Sequence, residues 1–190
     1  MVGLEMSGLQ AEEIEIGIIG RGTLADLIAT HLGKAGYALG GLEDESGVSN
    51  SLISREFPSP RMLAGACPVI VTALSDGTEL ERVLFGDTGI AQCWRTDTLV
   101  IDMSTVSPEF LQELSEQLVE NGIAFLDAVI INEDAGDPDS IQMMLVGGDA
   151  NDYERALPIF EKIARSVRHL GSSGASQFYR QAFAVRKKRQ

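Results

Sequence analysis

The sequence predicts an α/β fold: a doubly wound, mainly parallel sheet that forms a single domain with a C-terminal helix. Three observations support this fold class. Short apolar runs alternate with amphipathic helical segments, the first run enters a glycine-rich turn directly, and later helical segments begin with capping residues. A chain of 190 residues is long enough to bury one core. We therefore expect a flexible N-terminal segment at 1–13, the sheet domain at 14–174 and a helix with a basic end at 175–190.

The first predicted unit is a strand, a turn and a helix. An apolar run at 16–19 leads into a Gly-x-Gly-x-x-Ala pattern that ends at Ala25, and the helix is predicted over Thr23–Lys34. In a Rossmann-like fold, such glycines let backbone N–H groups approach a pyrophosphate at the positive end of the helix. The predicted cofactor-binding residues of this turn are Gly20, Arg21, Gly22, Thr23 and Leu24. A glycine loop with a purely structural role is the alternative.

A second apolar run, Tyr37–Leu42, ends in Glu43-Asp44. This position is about 20 residues beyond the glycines, where an acidic side chain is expected to bind the adenosine ribose hydroxyls. Because two carboxylates would repel a 2′-phosphate, Glu43 and Asp44 favour NAD(H) over NADP(H). A solvated acidic loop is the alternative interpretation. Only Glu45–Asn50 separates this strand from the next candidate, Ser51–Ser54, which we expect to be a short edge strand or an irregular loop without a crossover helix.

The remaining segments continue the alternation of strands and helices. Turn chemistry at Ser75-Asp76-Gly77 precedes one helix, and Ser107-Pro108-Glu109 is typical of the start of another, which should run to Gly122. A further helix should begin at Asp149 and end at about Ala164. The predicted strands are Val69–Leu74, Leu99–Met103, the short strand Ile123–Ala128, and Met143–Val146.

Charge and composition exclude several functions. The 15 basic and 28 acidic residues give a net charge of −13, which argues against nucleic acid and anionic membranes as partners. The last eleven residues carry five cations and no acid, a pattern typical of a solvated helix end. Cys67 and Cys93 lack metal-ligand spacing, so no metal is expected. No signal peptide or bilayer-length apolar segment is apparent, and we expect a cytoplasmic protein.

Several motifs in a fixed order resemble the N-terminal NAD-binding domain of the β-hydroxyacid dehydrogenases, the family of 3-hydroxyisobutyrate dehydrogenase and 6-phosphogluconate dehydrogenase. The resemblance covers roughly residues 14 to 184. Its motifs are Ile18–Gly22 with Leu32–Tyr37, Thr72–Asp76, Ile101–Pro108, Phe125–Ala128 and Val146–Asp149. The resemblance implies cofactor contacts from the loops after the fourth and fifth strands, at Leu74, Ser75, Asp76, Ser104 and Thr105. Strand-end capping is the alternative role of Ser104 and Thr105.

The positions that carry the family's chemistry differ in this chain. The resemblance implies a Pro-Val-Ser-Gly-Gly substrate loop after Leu-Asp-Ala, where this chain has Val129-Ile130-Ile131-Asn132-Glu133. Ile131 cannot donate a hydrogen bond as serine would, and Asn132 and Glu133 add bulk and charge. Arg180 occupies the position of the family's catalytic lysine, and a guanidinium is a poor base. We expect a degenerate substrate loop and, as the only catalytic candidate, Arg180.

The family also carries an all-helical C-terminal domain that closes the active-site cleft, and we expect this domain to be missing after Gln190. Apolar residues of the last helix, including Phe178, Phe183 and Val185, would then be exposed and favour a homodimer or a protein partner. The first functional hypothesis is a degenerate NAD-binding domain that acts as a cofactor sensor or partner subunit. The second is an NAD-dependent oxidoreductase on a small hydroxy acid or imine. The third is a scaffold that binds no nucleotide.

Overall fold

A computed structural model describes residues 15–43, 51–93, 97–131 and 141–187. Within these ranges it contains one eight-stranded sheet. The predicted flexible segment 1–13 lies outside the described residues. The elements are β1 Ile16–Gly20, α1 Thr23–Lys34, β2 Leu39–Leu42, β3 Ile53–Phe57, α2 Pro60–Ala66, β4 Val69–Ala73, α3 Gly77–Phe85, β5 Leu99–Asp102, α4 Pro108–Glu120, β6 Ala124–Ile131, β7 Ile141–Gly148, α5 Ala150–Ile163, β8 Ala164–His169 and α6 Ala175–Lys187, with a short 3-10 turn at Ile90–Gln92.

The strands lie in the order β3-β2-β1-β4-β5-β6-β7-β8. All neighbouring pairs are parallel except β6 and β7, which are antiparallel. The α/β prediction with a mainly parallel sheet is therefore confirmed. The chain builds the sheet outward from β1 in one direction and from β4 in the other, so the strand order reverses between these two strands. In open α/β sheets, ligands bind at the carboxyl ends of the strands at such a reversal.

Helices cover both faces of the sheet and bury two apolar clusters. On one face, α1 and α5 bury Ile28 and Phe160, both fully inaccessible to solvent. On the other face, α2, α3 and α4 bury residues such as Leu63, Leu80 and Leu118. Each fully buried aliphatic or aromatic side chain of this kind stabilises the fold by about 1.5–3 kcal/mol. The strands between the two layers are nearly continuous apolar runs because neither of their faces contacts water.

Three parts of the chain differ from the sequence predictions. Strand β6 is not short, because the β-branched run Val129–Ile131 continues it alongside β7 beyond the end of β5. Strand β3 is an edge strand as expected, but it lies at Ile53–Phe57, and its register shifts between Leu39 and Gly40 of β2. Helix α2 was not predicted, although Ser59 caps it by accepting a hydrogen bond from the Met62 N–H.

Helix α6 packs against β6, β7 and α4. It begins after Gly174, whose φ of +88° lies in the left-handed region. A Cβ atom there would lie 2.7 Å from the carbonyl oxygen of Pro108, so only glycine permits this close approach to the start of α4. Helix α6 thus starts beside the carboxyl ends of the central strands. Within the described part of the chain, no helix is long and apolar enough to cross a bilayer.

Candidate functional site

A cleft of about 620 Å³ opens at the carboxyl ends of β1, β2 and β4, at the point where the strand order reverses. It is lined by the glycine turn after β1, the end of β2, and residues of β3 and α3. Of the predicted cofactor-binding residues, Gly20, Arg21, Gly22, Glu43 and Leu74 line it. The structure therefore brings together residues from three separate motifs of the sequence. Asp44 lies outside the described residues.

The two glycines of the turn have different roles. Gly20 pairs with Ala73 in the sheet, and a Cβ atom at Gly20 would lie 2.2 Å from the Ala73 carbonyl oxygen. Glycine is therefore required there for β1 and β4 to approach each other. Gly22 has a φ of +97°, yet a Cβ atom there would meet nothing within 4 Å. The space beside Gly22 is open, which is what close approach of a ligand to its backbone requires.

Gly22 is also the N-cap residue of α1, and no side chain caps this end of the helix. The N-terminal end of a helix has a partial positive charge and unpaired N–H groups that favour anions. The helix residues that line the cleft near this end are Ala25, Asp26 and Ala29, of which the two alanines leave room for a ligand. The open glycine, the uncapped helix and the small side chains fit a dinucleotide pyrophosphate. Thr23 is exposed and Leu24 half-buried beside this cradle.

Charged side chains surround the cleft. Glu43 directly follows β2 and is exposed, and its backbone N–H donates to the Phe57 carbonyl oxygen at 2.9 Å. Glu56 of β3 lines the same side of the cleft. Arg21 of the glycine turn and Arg82 of α3 also line it. Asp26 of α1 and Glu79 of α3 line the cleft as well. The β2–β3 edge thus carries two of the carboxylates, and the arginines come from other elements.

The loop after β4 is organised by its own hydrogen bonds. The Ser75 hydroxyl donates to Glu79 Oε2 at 3.0 Å, and Asp76 caps α3 by accepting from the Glu79 N–H at 2.9 Å. Both Ser75 and Asp76 are exposed, whereas Leu74 is buried. These bonds hold the loop in place, and the side of the loop that carries Ser75 and Asp76 stays accessible to solvent. Its predicted contacts with a cofactor stay a prediction.

The loop after β5 is tied into the protein interior. The Ser104 side chain is buried, donates to Asp102 Oδ1 at 2.6 Å and accepts from the Leu74 N–H at 3.0 Å. Thr72 also donates to Asp102 Oδ1, at 2.7 Å. These bonds give Ser104 the role of joining the ends of β4 and β5. Of the two residues predicted to contact the cofactor here, only Thr105 is exposed.

Asp102 is fully buried, and its Oδ2 atom has no partner among the described residues. Burial is the largest influence on its carboxyl group and raises its pKa to about 6, against the lowering effect of the hydrogen bonds from Ser104 and Thr72. The nearby charge of Asp127, its partner across β5 and β6, raises the pKa further. Asp102 is thus a carboxyl group whose ionised form is disfavoured by the fold.

Asp127 anchors the start of α6. Its Oδ1 accepts from the Gly174 N–H at 2.7 Å, and its Oδ2 accepts from the N–H of Ser176 at 3.3 Å and from the Ser176 hydroxyl. Burial raises the pKa of Asp127, while these three hydrogen bonds lower it. A Cβ atom at the neighbouring Gly147 would lie 2.7 Å from Asp127 Oδ1, so glycine is needed beside this carboxyl group.

Two further side chains of α6 reach the end of β5. Gln177, which is fully buried, donates from Nε2 to the Ser104 carbonyl oxygen at 2.7 Å, and its Oε1 atom has no partner among the described residues. Arg180 donates to the Thr105 hydroxyl at 2.7 Å. Partial burial lowers the pKa of Arg180, and the charge of Asp102 opposes that shift. The structure thus places Arg180 beside the loop after β5.

The predicted substrate loop is mostly strand. Val129, Ile130 and Ile131 pair with Leu145, Met144 and Met143 of β7. These three residues continue the antiparallel pairing with β7 beyond the end of β5, and their side chains are apolar. Asn132 and Glu133 lie outside the described residues. In the part of the chain that the structure describes, no group of three His, Cys, Asp or Glu side chains could hold a metal ion.

A comparison with protein families identifies the fold's relatives. The model of the NAD-binding domain of 6-phosphogluconate dehydrogenase matches residues 15–171. The chain belongs to this family. NAD-dependent L-serine dehydrogenase of Pseudomonas aeruginosa is 30% identical over 166 residues, which cover 86% of this chain and 56% of that protein. The chain thus spans little more than half the length of this curated relative.

Solved structures of other enzymes share the fold. Mycobacterium tuberculosis 3-hydroxyisobutyrate dehydrogenase with L-serine has a TM-score of 0.75 and 26% identity, covering 88% of this chain and 57% of that one. The imine reductase of Myxococcus stipitatus has a TM-score of 0.80 both as a variant with NAD+ and with NADP+, at 19% and 18% identity. The match covers 91% of this chain and 60% or 61% of the reductase. At that identity the likeness shows the fold alone.

The sequence alone did not indicate two residues of the site. Glu56 lines the cleft because β3 extends beyond the predicted Ser51–Ser54 run. The buried position of Gln177 depends on how α6 docks, which no local pattern specifies. The position of Glu56 depends on the register of β3 against β2, which no local pattern specifies either.

Proposed function

We propose that this chain binds NAD(H) and lacks the hydride-transfer chemistry of its enzymatic relatives, acting as a cofactor sensor or as a partner subunit. The observation that carries the proposal is the open glycine at the uncapped start of α1. Gly22 and the first N–H groups of α1 would hold the pyrophosphate, and Glu43 would accept hydrogen bonds from the adenosine ribose. When bound, NAD supplies a nicotinamide ring that can accept or donate a hydride.

The electrostatics of the cleft support NAD(H) over NADP(H). A 2′-phosphate carries close to two negative charges at neutral pH, as phosphate esters do. Glu43 stands at the position where the ribose hydroxyls are expected. An uncharged diol can donate hydrogen bonds to this carboxylate, whereas a phosphate in the same place would be repelled by it.

Two features support the loss of the family's chemistry. Arg180 stays protonated because the pKa of a guanidinium lies far above neutral pH even when burial lowers it, so it cannot accept a proton as the family's lysine would. Val129–Ile131 continues the strand beside β7 and offers a substrate apolar side chains where the family has a serine and glycines. Arg180 and Val129–Ile131 both belong to the half of the site that would contact the reacting group of a substrate.

Helix α6 supports the partner-subunit role. Phe178 and Tyr179 are 68% and 45% exposed, and the ring of Tyr179 stacks on Phe183 with centroids 6.2 Å apart. This apolar surface favours a homodimer or a protein partner. A cytoplasmic location and the absence of nucleic-acid or membrane partners stay predictions from composition.

Calorimetric titration with NAD, NADH, NADP and NADPH tests the proposal, with two leucine variants compared. Gly22→Leu places a side chain in the cleft and removes at least two hydrogen bonds to a charged pyrophosphate, so we expect about a hundredfold weaker binding. Gly36→Leu is the matched control, because Gly36 has a φ of +95° and equally open surroundings but does not line the cleft. Equal binding by both variants, or no binding of any dinucleotide to the wild type, would refute the proposal.

A second candidate function is an NAD-dependent oxidoreductase on a small hydroxy acid or imine. It is favoured by the position of Arg180, 2.7 Å from Thr105 at the end of β5, where a guanidinium could bind a carboxylate substrate. Following NADH absorbance with hydroxy acids, aldehyde acids and cyclic imines tests this candidate in the wild type and in Arg180→Lys. Turnover by the wild type would establish the enzyme and overturn the proposal of lost chemistry.

A further inference from the structure

Glu56 belongs to the edge strand β3 and lies opposite Gly41 of β2. Its neighbour Phe57 is buried, and Arg55 stacks over the Phe57 ring at 4.8 Å from the centroid. Because side chains alternate along a strand, Arg55 and Phe57 share one face of β3 and Glu56 lies on the other. The guanidinium of Arg55 is therefore on the opposite face from the Glu56 carboxylate, which is exposed and lines the cleft.

The residue opposite Glu56 is Gly41, and the space beside Gly41 is filled by Ile53 of β3. A Cβ atom at Gly41 would lie 3.2 Å from the Ile53 side chain, so a larger residue there would require Ile53 to shift. One residue beyond Leu42, Glu43 is held against β3 by its hydrogen bond to Phe57. Two carboxylates, one of β3 and one directly after β2, thus border the same edge of the cleft.

We propose that Glu56 is a second determinant of cofactor selectivity, which excludes the 2′-phosphate without contributing to NAD binding. The proposal rests on the proposed NAD(H) site and gives Glu43 and Glu56 different roles in selecting the cofactor. Glu43 binds the ribose diol and repels the phosphate, whereas Glu56 acts on the phosphate by charge alone.

This division of roles predicts a distinct pattern of dissociation constants. Removing one unit charge a few ångströms from a doubly charged phosphate at a solvated surface changes binding by roughly five- to tenfold. We expect Glu56→Gln to strengthen NADP binding by about that factor and to leave NAD binding within about twofold. Glu43→Gln should weaken NAD binding by about tenfold because a charged hydrogen bond is lost, and should strengthen NADP binding relative to NAD.

The experiment is calorimetric titration of the wild type and of three variants with NAD and NADP at low and high salt. Glu81→Gln is the matched control, since Glu81 is an exposed glutamate of α3 that does not line the cleft. The effect of Glu56→Gln on NADP should shrink at about 1 M salt, where the screening length falls to about 3 Å. A role of Glu56 in the folding of β3 would instead change NAD and NADP binding together.

The possible results distinguish a failure of the proposed role of Glu56 from a failure of the NAD(H) site on which that role rests. Wild-type binding of NAD with an unchanged NADP-to-NAD ratio in Glu56→Gln overturns the role of Glu56 and leaves the NAD site intact. An equal change of the ratio in Glu81→Gln also overturns it, because net charge alone would then explain the effect. A folded wild type that binds no dinucleotide overturns both proposals.

Discussion

The carboxyl edge of the sheet has two halves of opposite construction. At β1, β2 and β4 the edge is kept open by residues without side chains, and Gly22 faces empty space. At β5 and β6 the edge is filled, because hydrogen bonds join Asp102 to Ser104 and join Asp127 and Ser104 to α6 and the residue before it. The difference indicates that the first half is built to accept a ligand and the second to hold a helix.

The largest expected effect on stability is in the filled half, at Asp127. Asp127→Ala leaves the N–H groups of Gly174 and Ser176 and the Ser176 hydroxyl buried without their acceptor, and we expect a loss of about 3 kcal/mol in the free energy of unfolding. Urea denaturation measures it. Asp149→Ala is the comparison, because the exposed Asp149 also accepts two backbone N–H groups, at the start of α5, and its loss should amount to about 1 kcal/mol. Equal losses would show that burial adds nothing at Asp127.

An intermediate effect is expected at Asp102, and it depends on pH. The folded-state pKa of about 6 exceeds the ordinary aspartate value of 3.8, so the folded protein holds this proton more tightly than the unfolded chain does. The contribution of Asp102 to the free energy of unfolding therefore rises as pH falls from about 7 to about 4, and it is lost as pH rises through 6. Asp102→Asn keeps an acceptor for Thr72 and Ser104 and removes the buried charge.

We expect Asp102→Asn to be more stable than the wild type by about 2 kcal/mol at pH 8, with the difference shrinking towards pH 4. Urea unfolding of both proteins across this range measures the difference. Carboxyl groups far from Asp102 contribute to both curves and cancel in the comparison, whereas Asp127 is coupled to Asp102 by charge. A constant difference at all pH values would mean that Asp102 does not change its protonation on folding.

The smallest expected effect on stability is on the outer face of α6. Phe178 is 68% exposed, so Phe178→Asp should change the free energy of unfolding by less than about 0.5 kcal/mol. If α6 mediates self-association, sedimentation velocity will show a larger wild-type species and a monomeric variant. Val119→Asp on α4 is the control, because Val119 is 62% exposed and apolar but lies on another helix. Monomers in all three proteins would exclude a homodimer.

The sequence predicted the open half better than the filled half. Gly20 and Gly22 carry their information locally, because a strand followed by Gly-x-Gly-x-x-Ala specifies a turn whatever surrounds it. The sequence signals for the starts of α3 and α4 were equally local, since Asp76 and Ser107 cap the helices that follow them. The same Ser-Pro signal at Ser59-Pro60 marked α2, so this helix was missed although its pattern was present.

What could not be predicted depends on contacts between distant segments. The motif Ile101–Pro108 identified Ser104 but not that its side chain would be buried by Leu74 and Asp102. The bulge that sets the register of β3 against β2 decides that Glu56 lines the cleft, and edge-strand register is fixed by tertiary packing rather than by propensity. The resemblance indicated Arg180, but not its hydrogen bond to Thr105, which joins residues 75 positions apart.

The strand order also has a consequence for how the molecule folds. From β4 to β8, each strand pairs with the next one along the chain, whereas β1 pairs with β4, joining position 16 to position 69. Contacts between distant positions carry a larger loop-closure entropy and tend to form late. We therefore expect the β4–β8 half to nucleate folding and the β1–β4 junction to close afterwards. A ligand held at that junction should slow unfolding and leave the folding rate nearly unchanged.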